Sequence, residues 1–369
     1  MGLTNLYNVR NSIDQGETIT PLFWRIYYDP LINNIASNFS GYTLATKWNT
    51  SLLQPKSQQL QTSVSVLAYM DDTLWIAKSK EELQTIIATA TSFYHMADIQ
   101  INPTKSILTS NTSSIAPIHF FNSSLTPIPA NQPFKFLGCW FTLNNSHTKQ
   151  SQLIYDEAIQ LINITGTKRI TDKQAIYITN TVIIPTIEYR LHNIILKRST
   201  CDNILSKYLT MIKHKAKLSR TSPNSTMLNP YIYNVYNIWD IQLQHHISCF
   251  QQRINDPEIL GISTKIRLQQ LQNNLWSATN ILQHNQPLID GPNKLTLNFK
   301  IIQLLQHLGI SILANSNVLW PYTIHDGYQP LEPILIQHPK YNTFRKQLRK
   351  NNILYLEQLC TADNSTLLK

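Results

Sequence analysis

Residues 64–77 read VSVLAYMDDTLWIA and contain two adjacent carboxylates, Asp71 and Asp72. The runs on either side of this pair, 64–69 and 73–77, are short, apolar and rich in β-branched and aromatic residues. Such runs predict two buried strands, and the residues between them predict a tight turn. We therefore expect a β-hairpin that carries Asp71 and Asp72 at its tip.

The two carboxylates predict a cation site. Asp side chains forced together at an apolar hairpin tip repel each other and lose hydration, and a divalent cation relieves that cost. Mg²⁺ bound there suits two-metal phosphoryl or nucleotidyl transfer. The alternative is that Asp71 and Asp72 only close the turn, because Asp is a favoured turn residue.

A second motif lies upstream, where residues 13–24 read IDQGETITPLFW. Thr20 is an acceptable N-cap, and Pro21 suits the first helical position because its missing N–H costs nothing there. A helix is therefore expected from this point. Gln15 and Gly16 precede it, and their alternative interpretation is an ordinary loop before a helix.

Two further motifs follow the hairpin. Residues 81–96 have the apolar spacing of an amphipathic helix, and 99–101 alternate as a strand does before the Asn-Pro turn that leads to Lys105. Residues 134–141 read FKFLGCWF. There a glycine, Gly138, allows close backbone approach, although a core strand with a bulge is equally compatible.

These four motifs, in this order, resemble those of reverse transcriptases, and their wording is closest to non-long-terminal-repeat (LINE-like) retroelements. The resemblance implies an α+β fold with a partial palm, in which helices pack on a catalytic hairpin. It implies that Asp71 binds the metal ions with Asp72 beside it. Tyr69 and Met70 would shape the floor under the primer end, and Lys105 would lie near the nucleotide's phosphates.

The remaining roles also come from the resemblance. Gln15 and Gly16 would pack against the template and the incoming nucleotide. Phe136, Leu137 and Gly138 would form the primer grip. The implied partners are an RNA template, a DNA primer and deoxynucleotide triphosphates, and the implied cofactor is Mg²⁺ or Mn²⁺.

The sequence departs from the family pattern at one place. Such palms carry a further catalytic Asp on a strand upstream of the Gln-Gly loop, and Asp14, adjacent to that loop, cannot occupy that strand. We therefore expect a copy truncated at its N-terminus that does not extend a primer by itself. The alternative function is a non-catalytic, nucleic-acid-binding remnant of a retrotransposon.

Composition agrees with a nucleic-acid partner. The 369 residues carry a formal net charge of +10 and an isoelectric point near 9.3, which favours a polyanion. The four cysteines are far apart in the sequence, which favours a reducing compartment. No apolar run is long enough for a membrane span, so no membrane partner is expected. The expected location is intracellular, either nuclear or cytoplasmic.

Helical patterns dominate after the fourth motif. We expect a palm over residues 1–145, a helical thumb-like domain over 146–255 and a helical C-terminal extension over 256–369. Pro185 should kink or split a helix predicted over 172–196. The other helices are predicted over 150–164, 201–218, 231–253, 265–276, 295–308 and 344–359.

A basic face is predicted near the end of the 201–218 helix. Lys213, Lys217 and Arg220 lie at i, i+4 and i+7, so a continuous helix would place them on one face that contacts phosphates. A solvated basic surface is the alternative. Further cations lie near the C-terminus, where the sequence does not decide between the two interpretations: Arg345, Lys346, Arg349 and Lys350.

Overall fold

The computed structural model describes residues 18–49, 57–112, 116–278, 280–282, 296–312 and 327–360. The strands are β1 Tyr42–Asn49, β2 Ser57–Val64, β3 Val66–Tyr69, β4 Asp72–Trp75, β5 Ile118–Phe120, β6 Ser123–Leu125, β7 Phe134–Phe136 and β8 Cys139–Phe141. The helices are α1 Thr20–Asn38, α2 Lys80–Met96, α3 Thr148–Thr167, α4 Asp172–Ile178, α5 Ile184–Arg190, α6 Arg198–Lys215, α7 Asn224–Leu228, α8 Ile238–Asn255, α9 Ile259–Leu275, α10 Leu297–Leu308, α11 Leu331–Leu335 and α12 Tyr341–Lys350.

The strands pair as two-stranded sheets between consecutive strands: β1 with β2, β3 with β4, β5 with β6, and β7 with β8. The last three pairs are antiparallel. Because long helices and small antiparallel sheets mix along the chain, the fold class is α+β, as the sequence predicts. No helix among the described residues is long and apolar enough to cross a membrane.

The chain forms two compact units. Unit 1 combines Met1–Thr43 with Ser63–Gln132, and unit 2 combines Leu44–Thr62 with Pro133–Lys369. The β7–β8 hairpin, expected within the palm, therefore belongs to unit 2. The predicted domain boundaries after residues 145 and 255 stay predictions.

The core of unit 1 lies between α1 and α2. Buried positions recur on each helix at spacings of three or four residues, which is the period of a helix face turned toward a core. These positions are Tyr28, Leu31 and Ile35 on α1 and Ile86, Ala90 and Tyr94 on α2. Val66 of β3 and Trp75 of β4 pack against the same core. The hairpin is thereby fixed on the two helices.

Unit 2 contains two helical cores. The first is formed mainly by α3 to α6, and its fully buried side chains include Ile154, Ile187 and Tyr208. The second joins α8, α9 and α10 around Phe250 and Phe299. The helices predicted in this region are thus present, with shifted ends.

The predicted break at Pro185 is confirmed. A π-helical turn, Thr179–Ile183, separates α4 from α5, and the N–H of Ile184 donates to the carbonyl of Thr179. Proline lacks the N–H that would continue the regular ladder, so a widened turn before Pro185 accommodates the missing bond.

Three local predictions are wrong. Residues 99–101 do not form a strand. The helix predicted from residue 231 begins at Ile238, because the Asn237 side chain accepts the N–H of Trp239 at 3.0 Å and caps the helix there. The final helix ends at Lys350, and Asn352 adopts a left-handed conformation (φ 55°) before a short 3₁₀ helix, Leu356–Leu359.

Candidate active site

The predicted hairpin is present and its turn contains two residues. Tyr69 pairs with Asp72, so Met70 and Asp71 form the connection. Met70 has φ 53°, whereas Asp71 is outside the left-handed region. A positive φ at only the first central residue is typical of a type II′ turn, in which glycine is usual at that position. Met70 therefore carries backbone strain at the tip of the hairpin.

Side chains of helix α1 form hydrogen bonds with this turn and with the strand that follows it. The indole Nε1–H of Trp24 donates to the carbonyl of Met70 at 2.8 Å. The hydroxyl of Tyr28 lies 3.1 Å from Oγ1 of Thr73, the residue after the two carboxylates. Both bonds join α1 to the hairpin, so they fix the backbone from which Asp71 and Asp72 project.

A stack of aromatic rings supports the same bonds. Tyr28 stacks on Trp24 with ring centroids 5.4 Å apart and on Tyr94 at 6.2 Å, and Tyr94 stacks on Trp75 at 6.5 Å. The hydroxyls of Tyr28 and Tyr94 are hydrogen-bonded to each other. Burial, with the Tyr28 hydrogen bond adding to it, raises the pKa of Tyr94, so this hydroxyl remains a protonated structural group. Sequence reasoning missed this stack, although the aromatic spacing on α1 and α2 was visible.

The expectation of a buried, apolar hairpin tip is wrong. Asp71 and Asp72 are exposed. The exposed fractions of Leu67, Tyr69 and Met70 are 48%, 62% and 42%. In the two-stranded β3–β4 sheet, Val66 and Trp75 pack on the helical core while these residues do not, so loss of hydration does not drive cation binding here. A cation would be attracted here by the charge of two exposed carboxylates.

The pair fits a divalent cation of the kind that completes its coordination with substrate oxygens. Mg²⁺ is usually bound through one or two carboxylates, with waters and substrate phosphates as its other ligands. Asp71 and Asp72 supply that number of carboxylates on one rigid turn. Within the described ranges, no group of three or more His, Cys, Asp or Glu side chains is arranged to hold a metal ion by itself. A cation here would supply charge neutralisation at the phosphates.

Lys105 lies on a short 3₁₀ turn and not on the β3–β4 hairpin. Lys105 is exposed at the end of a 3₁₀ turn, Pro103–Lys105, which begins where the N–H of Thr104 donates to Oδ1 of Asn102 at 3.1 Å. Among the described residues, no hydrogen bond or ion pair joins Lys105 to either carboxylate. Gln15 and Gly16 lie outside the described residues, so their roles stay predictions.

The β7–β8 hairpin in unit 2 also has a two-residue turn. Phe136 pairs with Cys139, and the connecting residues Leu137 and Gly138 have φ 45° and 77°. Two left-handed central residues define a type I′ turn. A Cβ at Gly138 would lie 3.1 Å from Cε1 of Tyr189, so conformation and space both favour glycine there.

Helix α5 binds the two carbonyls of this turn. The Tyr189 hydroxyl donates to the Leu137 carbonyl at 2.9 Å, and Nη1 of Arg190 donates to the Gly138 carbonyl at 2.9 Å. Nη2 of Arg190 also donates to Glu157 at 3.0 Å, within an ion pair between the two side chains. The turn is therefore attached to α5, and through Glu157 to α3.

Two amides attach the adjoining strand. Oε1 of Gln150, a buried side chain, accepts the N–H of Trp140 at 2.9 Å, and its Nε2 donates to the Arg190 carbonyl at 2.7 Å. Asn193 donates to the Trp140 carbonyl at 3.1 Å. Sequence reasoning missed these four attachment points, Gln150, Tyr189, Arg190 and Asn193. They lie 10 to 53 residues away from their partners, and no local pattern marks them.

The predicted basic face on α6 is not formed. Helix α6 ends at Lys215, and Lys217 adopts a left-handed conformation (φ 56°). The N–H groups of Lys217 and Leu218 donate to the carbonyls of His214 and Lys213 at 3.2 and 2.9 Å. These two bonds make a Schellman end, so Lys217 and Arg220 do not continue the helix.

Lys213 itself points inward. Its side chain is 5% exposed, and its ammonium donates to the carbonyl of Ser222 at 2.5 Å and to Oδ1 of Asn224 at 2.7 Å. Lys215 is also engaged, since it donates to the carbonyls of Gly166 and Lys168. A phosphate contact by Lys213 is not compatible with this position. Lys217 and Arg220 are exposed, and their contacts with nucleic acid stay predictions.

Adjacent carboxylates on a braced, exposed turn are suited to metal-assisted nucleotidyl transfer, and this is the class of chemistry that the site supports. Residues 5–141 match the family model described as reverse transcriptase (RNA-dependent DNA polymerase). Residues 5–141 thus resemble a reverse transcriptase domain, whose function by family is RNA-directed DNA polymerisation. The family acts on a nucleic-acid template and primer with nucleotide substrates, and it generally uses divalent metal ions. No curated protein matched the chain.

Proposed function

We propose that residues 5–141 are the reverse transcriptase domain of a non-long-terminal-repeat retroelement and that Asp71 and Asp72 are its Mg²⁺- or Mn²⁺-binding carboxylates. The observation that carries the proposal is the strained two-residue turn, with the Met70 carbonyl held by Trp24 at 2.8 Å. A turn that only reverses the chain does not require a left-handed Met, whereas fixed carboxylates do require a fixed backbone.

The other site residues have separate proposed roles. Tyr69 and Met70 are exposed beside the carboxylates and offer an apolar surface for the primer end. Lys105 offers a cation for the nucleotide's phosphates. Gln15 and Gly16 are assigned to the template side. Phe136, Leu137 and Gly138 form the primer grip, whose turn is kept rigid by α5 of the same unit.

Metal binding at the turn is tested by titrating the protein with Mn²⁺ and following paramagnetic broadening of backbone NMR signals. Broadening should centre on residues 69–73 and should be lost in the Asp71→Asn, Asp72→Asn double variant. Asp98→Asn is the matched control, because Asp98 is an exposed carboxylate of the same unit with φ 51°, a conformation that Asn tolerates. Equal broadening in the double variant and in the wild-type protein would show that the pair is only a turn.

Catalysis is tested by DNA primer extension on an RNA template. Replacing a direct metal ligand costs several kcal/mol of transition-state stabilisation, so Asp71→Asn should reduce any extension by roughly a thousandfold. Asp98→Asn should leave extension unchanged. Extension that survives Asp71→Asn would contradict the assignment of Asp71. Binding of template and primer without any extension in the presence of Mg²⁺ or Mn²⁺ would favour the non-catalytic alternative.

A further inference from the structure

Unit 2 contains a cavity of about 860 Å³ that is separate from both hairpins. Its walls come from the first turns of α3 and α6, from the segment 194–197 and from one side of α10. The volume is within the range of small-molecule sites, about 300–1,000 Å³. Size alone therefore allows a ligand as large as a nucleotide.

The charges around the cavity have one sign. Four of its lining side chains are basic, and none of the described residues that line it is acidic. The four are His147, Lys197, Lys300 and His307. Hydroxyl and amide side chains, among them Ser151 and Asn203, add neutral hydrogen-bonding groups. Basic side chains that converge without a carboxylate among them favour an anionic ligand.

Two of these basic side chains, His147 and Lys300, are partly buried. Burial lowers the pKa of His147, and the positive charge of Lys300 lowers it further. Burial also lowers the pKa of the Lys300 ammonium. Each group thus loses stabilisation of its charged form, and a bound anion would restore it.

The backbone also contributes positive electrostatic potential to the cavity. The first residue of α3, Thr148, and the first turn of α6, Thr200, both line the cavity. Helices of 20 and 18 residues thus begin at the wall of the cavity. The free N–H groups and dipole of a helix start favour negative charge, so they act in the same sense as the cations.

Part of the cavity wall is apolar. Ile194, Ile195, Leu196 and Leu304 line it, together with the ring of Tyr155. An inorganic anion would leave this surface unused, whereas a planar heterocycle would cover it. We propose that the cavity binds a small phosphorylated ligand of nucleotide size, with the phosphate at Lys300 and His147 and the base on the apolar part of the wall.

The experiment measures binding of adenosine monophosphate by calorimetry in EDTA, which removes divalent cations from the turn in unit 1. Adenosine and inorganic pyrophosphate are the comparison ligands, and the nucleotide should bind more tightly than either. Lys300→Gln combined with His147→Gln removes charge-assisted contacts and should weaken nucleotide binding roughly 10- to 100-fold. Lys300→Arg, which keeps the charge, should retain most of the affinity.

Lys207→Gln combined with His214→Gln is the matched control, because both side chains are exposed on α6 outside the cavity. It should change the affinity by less than about twofold. Thr200→Glu provides an independent variant, since a carboxylate in a first turn suits the helix while it opposes a bound phosphate. It should abolish binding while the protein keeps its circular dichroism spectrum.

Several results would overturn the proposal. Equal weakening in the control and in the cavity variant would show only bulk attraction between charges. Adenosine binding as tightly as its monophosphate would show that the phosphate is not recognised. A 5′-phosphorylated oligothymidylate that binds more tightly than the nucleotide, in a manner dependent on Lys300, would assign the cavity to a strand end instead of a small ligand.

Discussion

At the scale of single residues, Met70 shows how a local conformation serves the site. A left-handed φ is unfavourable for a residue with a side chain, most of all for a β-branched one. Met70→Val should therefore weaken the hairpin by about 1–2 kcal/mol, whereas Met70→Gly should not weaken it. The measurement is hydrogen exchange of the β3–β4 amides, and their protection should fall roughly 5- to 30-fold in the Val variant.

Leu67→Val is the control for that substitution. Leu67 lies on β3 of the same hairpin and is 48% exposed, but its backbone is extended. A β-branched residue suits a strand, so protection should be unchanged there. Equal loss in both variants would mean that the strain at Met70 is not what limits the hairpin.

The sequence predicted a hairpin that carries Asp71 and Asp72, but it did not predict which residues hold that hairpin in place. Asp71 lies in the turn and Asp72 begins β4, close to the predicted place, because apolar alternation and a turn are local signals. The bonds from Trp24 and Tyr28 to the hairpin join residues 45 or 46 positions apart, and a sequence pattern cannot specify them. Lys213 is the converse case. Its spacing predicted an exposed cation, but the Schellman end of α6 brings the chain back over it.

At the scale of elements, Arg190 is one of the two α5 side chains that bind the β7–β8 turn. The side chains of Arg190 and Glu157 are 21% and 26% exposed, so the pair is partly shielded from water. Arg190→Met removes both this pair and the donor to the Gly138 carbonyl. It should lower the free energy of unfolding by about 2–3 kcal/mol, measured by urea denaturation followed by circular dichroism.

Arg198→Met is the matched control on α6. Arg198 forms an i, i+4 pair with Asp202, and these side chains are 56% and 48% exposed. An exposed pair contributes little, so this change should cost less than about 0.5–1 kcal/mol. If both variants lose the same stability, Arg190 does not anchor the turn.

Element boundaries were less predictable than element types. Helices α2, α3 and α10 match their predicted spans within three residues, because amphipathic spacing and caps are local. The end of α6 was missed because Lys217 occupies a left-handed position that usually belongs to glycine. Tertiary hydrogen bonds stabilise this left-handed conformation, and the sequence does not reveal them.

At the scale of the whole molecule, the net charge of +10 predicts affinity for nucleic acid that depends on salt. Which cations contribute follows from their exposure. Lys217→Gln combined with Arg220→Gln should lower the log–log salt slope by about one to two units, since each phosphate contact contributes roughly 0.9. Lys213→Gln should leave the slope unchanged because its ammonium is buried. Binding is measured by fluorescence anisotropy with duplexes of different sequence.

The exposed cations of α12 provide the comparison. Lys346, Arg349 and Lys350 lie within one helix, and their replacement by Gln tests the C-terminal part of the chain. A larger decrease of the log–log salt slope in that variant would place the main phosphate contacts on α12 and not on Lys217 and Arg220. A slope that falls as much in Lys213→Gln as in the Lys217, Arg220 variant would contradict the burial argument.

The π-helical turn Thr179–Ile183 has a further consequence for the position of α5. Successive residues of an α-helix are rotated by about 100° around its axis, so one additional residue in a turn changes the angular phase of everything that follows. Deleting one residue there would carry Tyr189 and Arg190 about a quarter of a revolution away from the carbonyls that they bind. The hydrogen bonds from Tyr189 and Arg190 to the β7–β8 turn thus depend on the number of residues in the π-helical turn and not on which side chains those residues carry.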